Sequence, residues 1–426
     1  MSLISLAILL AVVVVGVVLV RRRNRAPRPN AGAAPPPRGD DGVPTFRVVT
    51  LGPRGSGKTL LLASMYHQMQ TWGGRGYFLA APREQVALLN HWFTEVEDPG
   101  RDWPAGTATA DTREFTFAVR TRGGSGALHT VLNLSYLDYA GTLLTQPPEP
   151  GSTLWKDLDD RIESADALVA VIDGHRVRQW LDGRREGQMG LQHALTAMIS
   201  RMLVVEKPVT FVITKWDLLR DIDVDEDSRL RTVRKLLMTN QGFRDLVQEH
   251  AGRRVVRLVP VSAVGPAFAE LDEDGAMTKL PDGLLEPTNV DVPLAAVVPD
   301  VFEQIMLRLD QAKLAAEFAR LRRQTRRPPA EAFAEVGATL IRSTNRVIGA
   351  LNPLYSSLVG LAAADLMQRQ EQAAATHEAH VTRLLDDAES HIEEFQLAQR
   401  KVIREFRSRV DVLEGRLSSS RLGGTP

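Results

Sequence analysis

The sequence predicts an α/β fold: a mostly parallel sheet covered by helices, preceded by one transmembrane helix and followed by an α-helical tail. Three observations carry this. Short apolar runs of strand length alternate with longer helical stretches from Phe46 to Leu321, the pattern of parallel strands joined by crossover helices. A glycine-rich loop, Gly52 to Thr59, stands between the first such strand and the first such helix. An apolar run from Leu3 to Val20, broken only by Ser5 and Gly16, precedes both.

Composition sets the frame. The chain has 426 residues, 44 % of them hydrophobic and 24 % charged, so a sizeable core is available. The 52 basic and 52 acidic residues cancel, and nothing in the overall charge argues for nucleic acid as a partner. There is no cysteine, which excludes disulfides, thiolate metal sites and cysteine nucleophiles. The expected organisation is a membrane anchor over 1–20, a basic Pro-rich linker over 21–44, an α/β domain over 45–322 and a helical, coiled-coil-like tail over 323–426.

At 1.5 Å per residue the Leu3–Val20 run reaches about 27 Å as a helix, enough to cross a hydrocarbon core. Arg21, Arg22, Arg23 and Arg25 follow it. Positive charge on that side predicts a single pass with the amino terminus outside and the rest cytoplasmic. A cleaved signal peptide would carry its charge ahead of the apolar run and small residues after it, the reverse of what stands here. The linker is rich in Pro, Arg, Gly and Ala and buries no core.

The strand Phe46–Leu51 leads into Gly52, Pro53, Arg54, Gly55, Ser56, Gly57, Lys58 and Thr59, and then into an apolar helix with Leu60, Leu61, Leu62 and Met65. Strand, G-x-x-x-x-G-K-[ST] and helix in that order make a phosphate-binding P-loop. The glycines let the backbone aim N–H groups at phosphate oxygens, and the helix amino terminus adds a favourable dipole. Lys58 is expected on the β- and γ-phosphates and the Thr59 hydroxyl on Mg²⁺. A second strand, Val131–Leu137, runs into Asp138, Tyr139, Ala140 and Gly141. Asp138 is expected to hold Mg²⁺ through water, and the Gly141 N–H to sense the γ-phosphate.

The base needs its own residues. The strand Val209–Ile213 ends in Thr214, Lys215, Trp216 and Asp217. A carboxylate there accepts from guanine N1–H and the 2-amino group, donors that adenine does not present together. The Lys215 stem is expected along the base. The strand Val255–Val261 leads into Ser262, Ala263 and Val264, where a backbone N–H would meet guanine O6. The expected ligands are therefore GTP/GDP and Mg²⁺.

These four pieces, GPRGSGKT, DYAG, TKWD and SAV, occur in the order found in the translation-factor-like class of P-loop GTPases, which includes the Ras-like small GTPases, and the chain resembles that class over about half its length. In plan it is similar to the β-subunit of the signal-recognition-particle receptor, an anchored small GTPase. It more closely resembles bacterial membrane-associated proteins of the double-GTPase group, proposed to act in conflict or defence systems; the stretch Gly283–Leu294 adds to that likeness. The resemblance implies GTP hydrolysis to GDP and a switch-I threonine completing the Mg²⁺ shell. Thr107, Thr109 and Thr112 are candidates, with Thr107 favoured because Trp103 to Gly106 would leave a flexible loop beside it. Two departures imply slow intrinsic hydrolysis. Thr142 stands where many Ras-like proteins keep a water-orienting glutamine, and Arg54 where many keep a glycine. A partner would then supply the missing group, or Gln146 or Arg54 would.

Further elements are expected over Pro82–Val96 (an inserted helix), Glu114–Arg120 and Asp166–Asp173 (strands), and Gln192–Val204 and Ser228–Glu249 (helices). Beyond Pro328 and Pro329 the tail reads as helical. Its apolar positions Val381, Leu385, Ala388, Ile392, Phe395, Val402, Phe406 and Leu413 step by three and four, with Gln399 and Arg409 in the gaps, a heptad-like seam for a bundle within the chain or for a second copy. Ile348–Met367 is weakly apolar, but Asn352, Pro353 and Asp365 argue against a second span. The leading expectation is a regulatory GTPase switch at the membrane that recruits an unidentified protein or second GTPase. The alternatives are a mechanochemical GTPase that self-assembles through the tail, and a nucleotide-binding scaffold with little turnover.

Overall fold

The computed structural model describes residues 45–106, 112–139, 153–203, 207–251, 256–272, 276–299 and 377–422, with 43, 141 and 205 besides. The apolar run Leu3–Val20, the linker, Thr107, Thr109, Thr142, Gln146, the segment 348–367 and the expected domain limit near residue 322 lie outside these. Among the described residues no helix is long and apolar enough to cross a membrane.

In chain order the elements are β1 Thr45–Leu51, α1 Lys58–Met69, β2 Phe78–Ala80, α2 Arg83–Glu97, β3 Arg113–Arg122, β4 Leu128–Asp138, α3 Thr153–Ser164, β5 Ala167–Asp173, α4 Gly174–Leu181, α5 Arg185–Met202, β6 Val209–Thr214, α6 Glu226–Leu237, α7 Gln241–Ala251, β7 Arg257–Pro260, β8 Ala269–Leu271, β9 Met277–Lys279 and α8 His377–Arg416. Residues 292–299 are also helical.

Seven strands form one sheet in the order β2-β3-β4-β1-β5-β6-β7. β4, β1, β5, β6 and β7 pair in parallel, while β2 and β3 run antiparallel at one edge. Every residue of β5 (ALVAVID) and β6 (VTFVIT) is buried. A strand covered on both faces needs a continuous apolar run, and these sequences supply it. β8 and β9 form a separate hairpin after β7.

Two expected elements differ. The stretch Ser228–Glu249 is two helices, because the Asn240 side chain accepts from Phe243 N (3.0 Å) and starts α7 afresh. The helix expected over Gln192–Val204 begins earlier, at Arg185, with α4 ahead of it.

α8 lies along the sheet. Phe395, Ala398, Gln399, Val402, Ile403, Phe406, Val410 and Leu413 are buried. Gln399 donates to the Val131 carbonyl (3.2 Å), and the Phe406 ring sits 4.6 Å from that of Tyr77. Arg409 makes a bidentate pair with the fully buried Asp291 (2.7 and 3.0 Å), which Arg75 approaches to 3.7 Å. The described part of the heptad-like seam is thus covered by this chain's own α/β unit. Past the helix end, Arg421 bridges to Arg257 and Leu422 N donates to Val256 O, adding a short extended segment beside β7.

Candidate functional site

Because β1, β4, β5, β6 and β7 are parallel, the loops after them open at one pole. The chain moves from β1 to one side of the sheet through β4, and then to the other side through β5, so the crevice beside the carboxyl end of β1 is the point of reversal, the usual ligand position in such sheets. All four sequence motifs follow a carboxyl strand end there. The register fixes their spacing: Thr50 lies opposite Asp138, Leu51 opposite Ala170, Asp173 opposite Thr214 and Ile213 opposite Pro260.

The Gly52–Thr59 loop turns on two left-handed glycines, Gly55 (φ 79°) and Gly57 (φ 84°), and Gly57 starts α1 with no side-chain cap. Gly52 packs so closely that a Cβ would stand 2.9 Å from the Val171 side chain. The Lys58 ammonium is buried and donates to the carbonyls of Gly52 (2.8 Å) and Pro53 (3.1 Å). Burial pushes its pKa down, and the Asp138 carboxylate pulls it back up. The Ser56 hydroxyl is fully buried and has no hydrogen-bond partner among the described residues. Thr59 and Asp138 are buried as well. Gly141 lies flat on this loop: a Cβ there would overlap Pro53 C and Arg54 N and stand 2.7 Å from Gly52 O, so only glycine fits.

The second half of the site is tied to the first by hydrogen bonds. Thr214 Oγ1 donates to Ser56 O (2.6 Å), with Ile172 O at 3.1 Å. Lys215 takes a left-handed conformation (φ 52°), and its ammonium pairs with Asp173 (2.9 Å). Ser262 Oγ donates to Asp217 Oδ1 (2.5 Å) and accepts from Gly265 N (2.8 Å). Ser64 Oγ of α1 donates to Ala263 O (2.9 Å). The Asp217 carboxyl is pushed up by burial, against the Ser262 hydrogen bond.

Arg54, Gly55, Gly57, Lys58, Thr59, Gly141, Thr214, Lys215, Asp217, Ala263 and Val264 all line one cavity of about 290 Å³. Of the expected site residues, Gly52 and Pro53 touch it through the Lys58 ammonium, Ser56 through Thr214, Asp138 through its charge on Lys58, and Ser262 through Asp217. Thr112 immediately precedes β3, whose first residue, Arg113, is the register partner of Asp138.

The cavity's other wall was not legible in any motif. Trp103, Pro104, Gly106 and Met277 form it, and Leu60 of α1 completes the lining. The stretch expected to be a flexible loop is anchored at Trp103, whose indole N–H donates to Met277 O (2.7 Å). Lys279, at the end of β9, is buried under the same loop. Its ammonium donates to the carbonyls of Glu95, Asp98 (3.0 Å), Arg101 (2.8 Å) and Asp102 (3.4 Å), and lies 4.9 Å from the Trp103 ring. Asp173, the Lys215 partner, was visible only as the last residue of a strand.

No group of three or more His, Asp or Glu that could hold a metal is present among the described residues. In comparisons with known proteins, no family model and no curated protein matches this chain.

Proposed function

We propose that this chain is a P-loop GTPase of the Ras-like kind, binding GTP and Mg²⁺ in the 290 Å³ cavity and hydrolysing GTP slowly as a membrane-anchored switch. One observation carries the reading: four motifs spread from Gly52 to Val264 meet at one cavity, and Thr214–Ser56, Ser262–Asp217 and Ser64–Ala263 hydrogen bonds tie the first, third and fourth of them together.

The residues fit the ligand. Ser56 brings a buried hydroxyl with no partner among the described residues, Lys58 a buried cation, and Gly57 a left-handed turn opening a helix. Together they suit a phosphate chain. A magnesium ion bound to phosphate oxygens and water needs only one or two protein ligands, and Thr59 with Asp138 would hold it. That ion would neutralise charge on the phosphates. Asp217, braced by Ser262, would accept from guanine, and the Ala263 and Val264 backbone borders the same end. Slow turnover follows from Thr142 standing next to Gly141, since a threonine cannot orient water as an amide does. Anchoring rests on Leu3–Val20 and the arginines after it. Self-assembly through the tail has less support, because the seam from Phe395 to Leu413 is already covered.

The test is equilibrium binding of fluorescent GTP, ATP and XTP to the full chain in detergent. GTP should win over ATP, Lys58→Ala should lose binding, and Asp217→Asn should shift preference toward XTP. Losing one paired buried hydrogen bond is worth roughly 1–3 kcal/mol, about ten- to a hundredfold in affinity. Equal affinity for ATP and GTP in the unaltered chain would refute the base assignment.

A further inference from the structure

We infer that a second cavity, which shares the Gly52–Thr59 loop with the nucleotide cavity, binds a small carboxylate with an apolar body and weakens nucleotide binding when filled. It measures about 250 Å³ and lies between the end of β5, Pro53 and Arg54 of the loop, and the helices α4 and α5. At the roughly 30 Å³ a water takes in the liquid, it holds about eight waters, or a ligand of about ten non-hydrogen atoms. Val171, Ile172, Leu191, Ala194 and Met198 give it an apolar wall, and all five are buried.

Its polar groups select the ligand's charge. Asp173 is buried in the lining and already committed: its carboxylate accepts from the Lys215 ammonium (2.9 Å) and from His175 N (3.0 Å). The other three, Arg54, Arg176 and His193, are exposed. Among the described residues no carboxylate pairs with any of them; Arg176 reaches only the neutral Gln179 amide, at 3.4 Å. Two guanidinium groups and an imidazole thus face one cavity with no internal anion to satisfy them. A carboxylate suits such donors, since guanidinium and carboxylate match in shape as well as charge. The buried wall asks in addition for an apolar body, which a bare inorganic anion lacks.

The coupling follows from residues that serve both cavities. Arg54 lines both. Val171 packs so closely on Gly52 that a Cβ on that glycine would stand 2.9 Å from it. Ile172 O lies 3.1 Å from Thr214 Oγ1, and Asp173 holds Lys215. The last three residues of β5 therefore wall the second cavity and brace the phosphate loop and the base motif at once. A carboxylate that engages Arg54 draws that guanidinium away from the phosphates and adds a negative charge behind the loop that carries them. Binding of GTP and of GDP should both weaken. This direction rests on the nucleotide reading of the proposed function; the cavity and its ligand class stand without it.

The probe is 4-fluorobenzoate, a carboxylate of the right size, followed by fluorine NMR on the nucleotide-free full chain in a non-ionic detergent at pH 7. 4-Fluorobenzamide has the same shape without the charge, and it controls for partition into the detergent. We expect a dissociation constant of about 1 mM for the benzoate, in keeping with so small a ligand, and binding at least fivefold weaker for the benzamide. Arg176→Gln/His193→Gln should weaken the benzoate at least fivefold with an unchanged thermal melt. Ala194→Leu, which narrows the apolar wall, should weaken both probes. Saturating GDP should weaken the benzoate at least threefold, and saturating benzoate should weaken fluorescent GDP by the same factor, because coupling between two sites is reciprocal. Equal binding of the two probes, or benzoate binding that survives the double variant, would overturn the site. Displacement by equimolar acetate, which has no apolar body to speak of, would overturn the ligand class. Benzoate binding that is indifferent to GDP, in protein that binds GDP, would overturn the coupling. If GDP does not bind at all, the nucleotide reading falls instead, and the two probes with the variants still decide the cavity.

Discussion

Lys279→Met tests whether the hairpin after β7 holds the loop that walls the cavity. The wild-type ammonium is buried against the carbonyls of Glu95, Asp98, Arg101 and Asp102 and over the Trp103 ring. A hydrogen bond to a charged group contributes about 1.5–3 kcal/mol, and three ammonium protons set the ceiling. The carbonyls lie near the surface and would recover water once the loop lifts, so the net loss should be about 2–4 kcal/mol, with the cation–π contact inside that range. Methionine matches the stem and keeps the packing, which confines the change to the charge. Because the bonded carbonyls all belong to Glu95–Asp102, the loss should be local. Amide hydrogen exchange over residues 95–106 should speed up by roughly 30- to 700-fold, at 1.4 kcal/mol per tenfold, while α5 and β6 keep their protection. Nucleotide dissociation should accelerate as well, since Trp103, Pro104 and Gly106 line the cavity. Unchanged exchange over 95–106 would show that the ammonium does not hold the loop. Faster exchange everywhere would show that it supports the whole fold.

Gly141→Ala should displace the Gly52–Arg54 backbone, because its Cβ overlaps that backbone; overpacking of this kind costs about 1–3 kcal/mol, read as a GTP affinity weaker by roughly 5- to 150-fold in a fluorescence titration. Affinity for GTP should fall as pH drops through the Asp217 pKa, and at a higher pH than the ordinary aspartate midpoint of about 3.9, because burial raises it. The sign for the ligand-free protein is opposite: its buried Asp217 is better accommodated neutral, so that contribution is present below the unfolded pKa and is lost as pH rises through the folded one. Titrating GTP affinity between pH 7 and pH 4 tests this, and Asp217→Asn should flatten the fall. Arg409→Met should destabilise the chain by about 3–5 kcal/mol in urea, since it strips the fully buried Asp291 of its bidentate partner; adding Asp291→Asn should recover much of that loss.

The central strands were legible because burial on both faces leaves no room for alternation, so ALVAVID and VTFVIT stand out against any background. Boundaries were less legible where one side chain decides them. Asn240 sits inside a stretch that reads as one helix, and only its hydrogen bond to Phe243 N shows the break. The helix Gly174–Leu181 escaped notice because it is short and carries His175, Arg176 and Arg178. The α8 seam announced its period in the sequence but not the surface it meets, since the same three–four spacing serves a partner helix or a sheet. What settled it are contacts such as Gln399 with Val131 and Arg409 with Asp291, 268 and 118 residues away.

The same division runs through the site. Parallel strands put all their carboxyl ends at one pole, so motifs at Gly52, Asp138, Thr214 and Ser262 converge once the strand assignment is right, and no side-chain contact has to be foreseen. Lys279 and Trp103 follow a different rule. Their partners are backbone carbonyls, Glu95 to Asp102 for the lysine and Met277 for the indole, and a carbonyl is contributed by every residue alike. No residue type in that loop marks it as a lysine's acceptor, so no pattern encodes the contact. Asp173 falls between the two cases. Its place at a strand end was readable, but its pairing with Lys215 depends on Thr214 lying opposite it across β5 and β6. The consequence reaches the segment that carries Thr107. Gly106 lines the cavity and Thr112 immediately precedes β3, whose first residue pairs with Asp138, so both ends of that segment are tied to the site, one of them through a lysine from the far side of the chain.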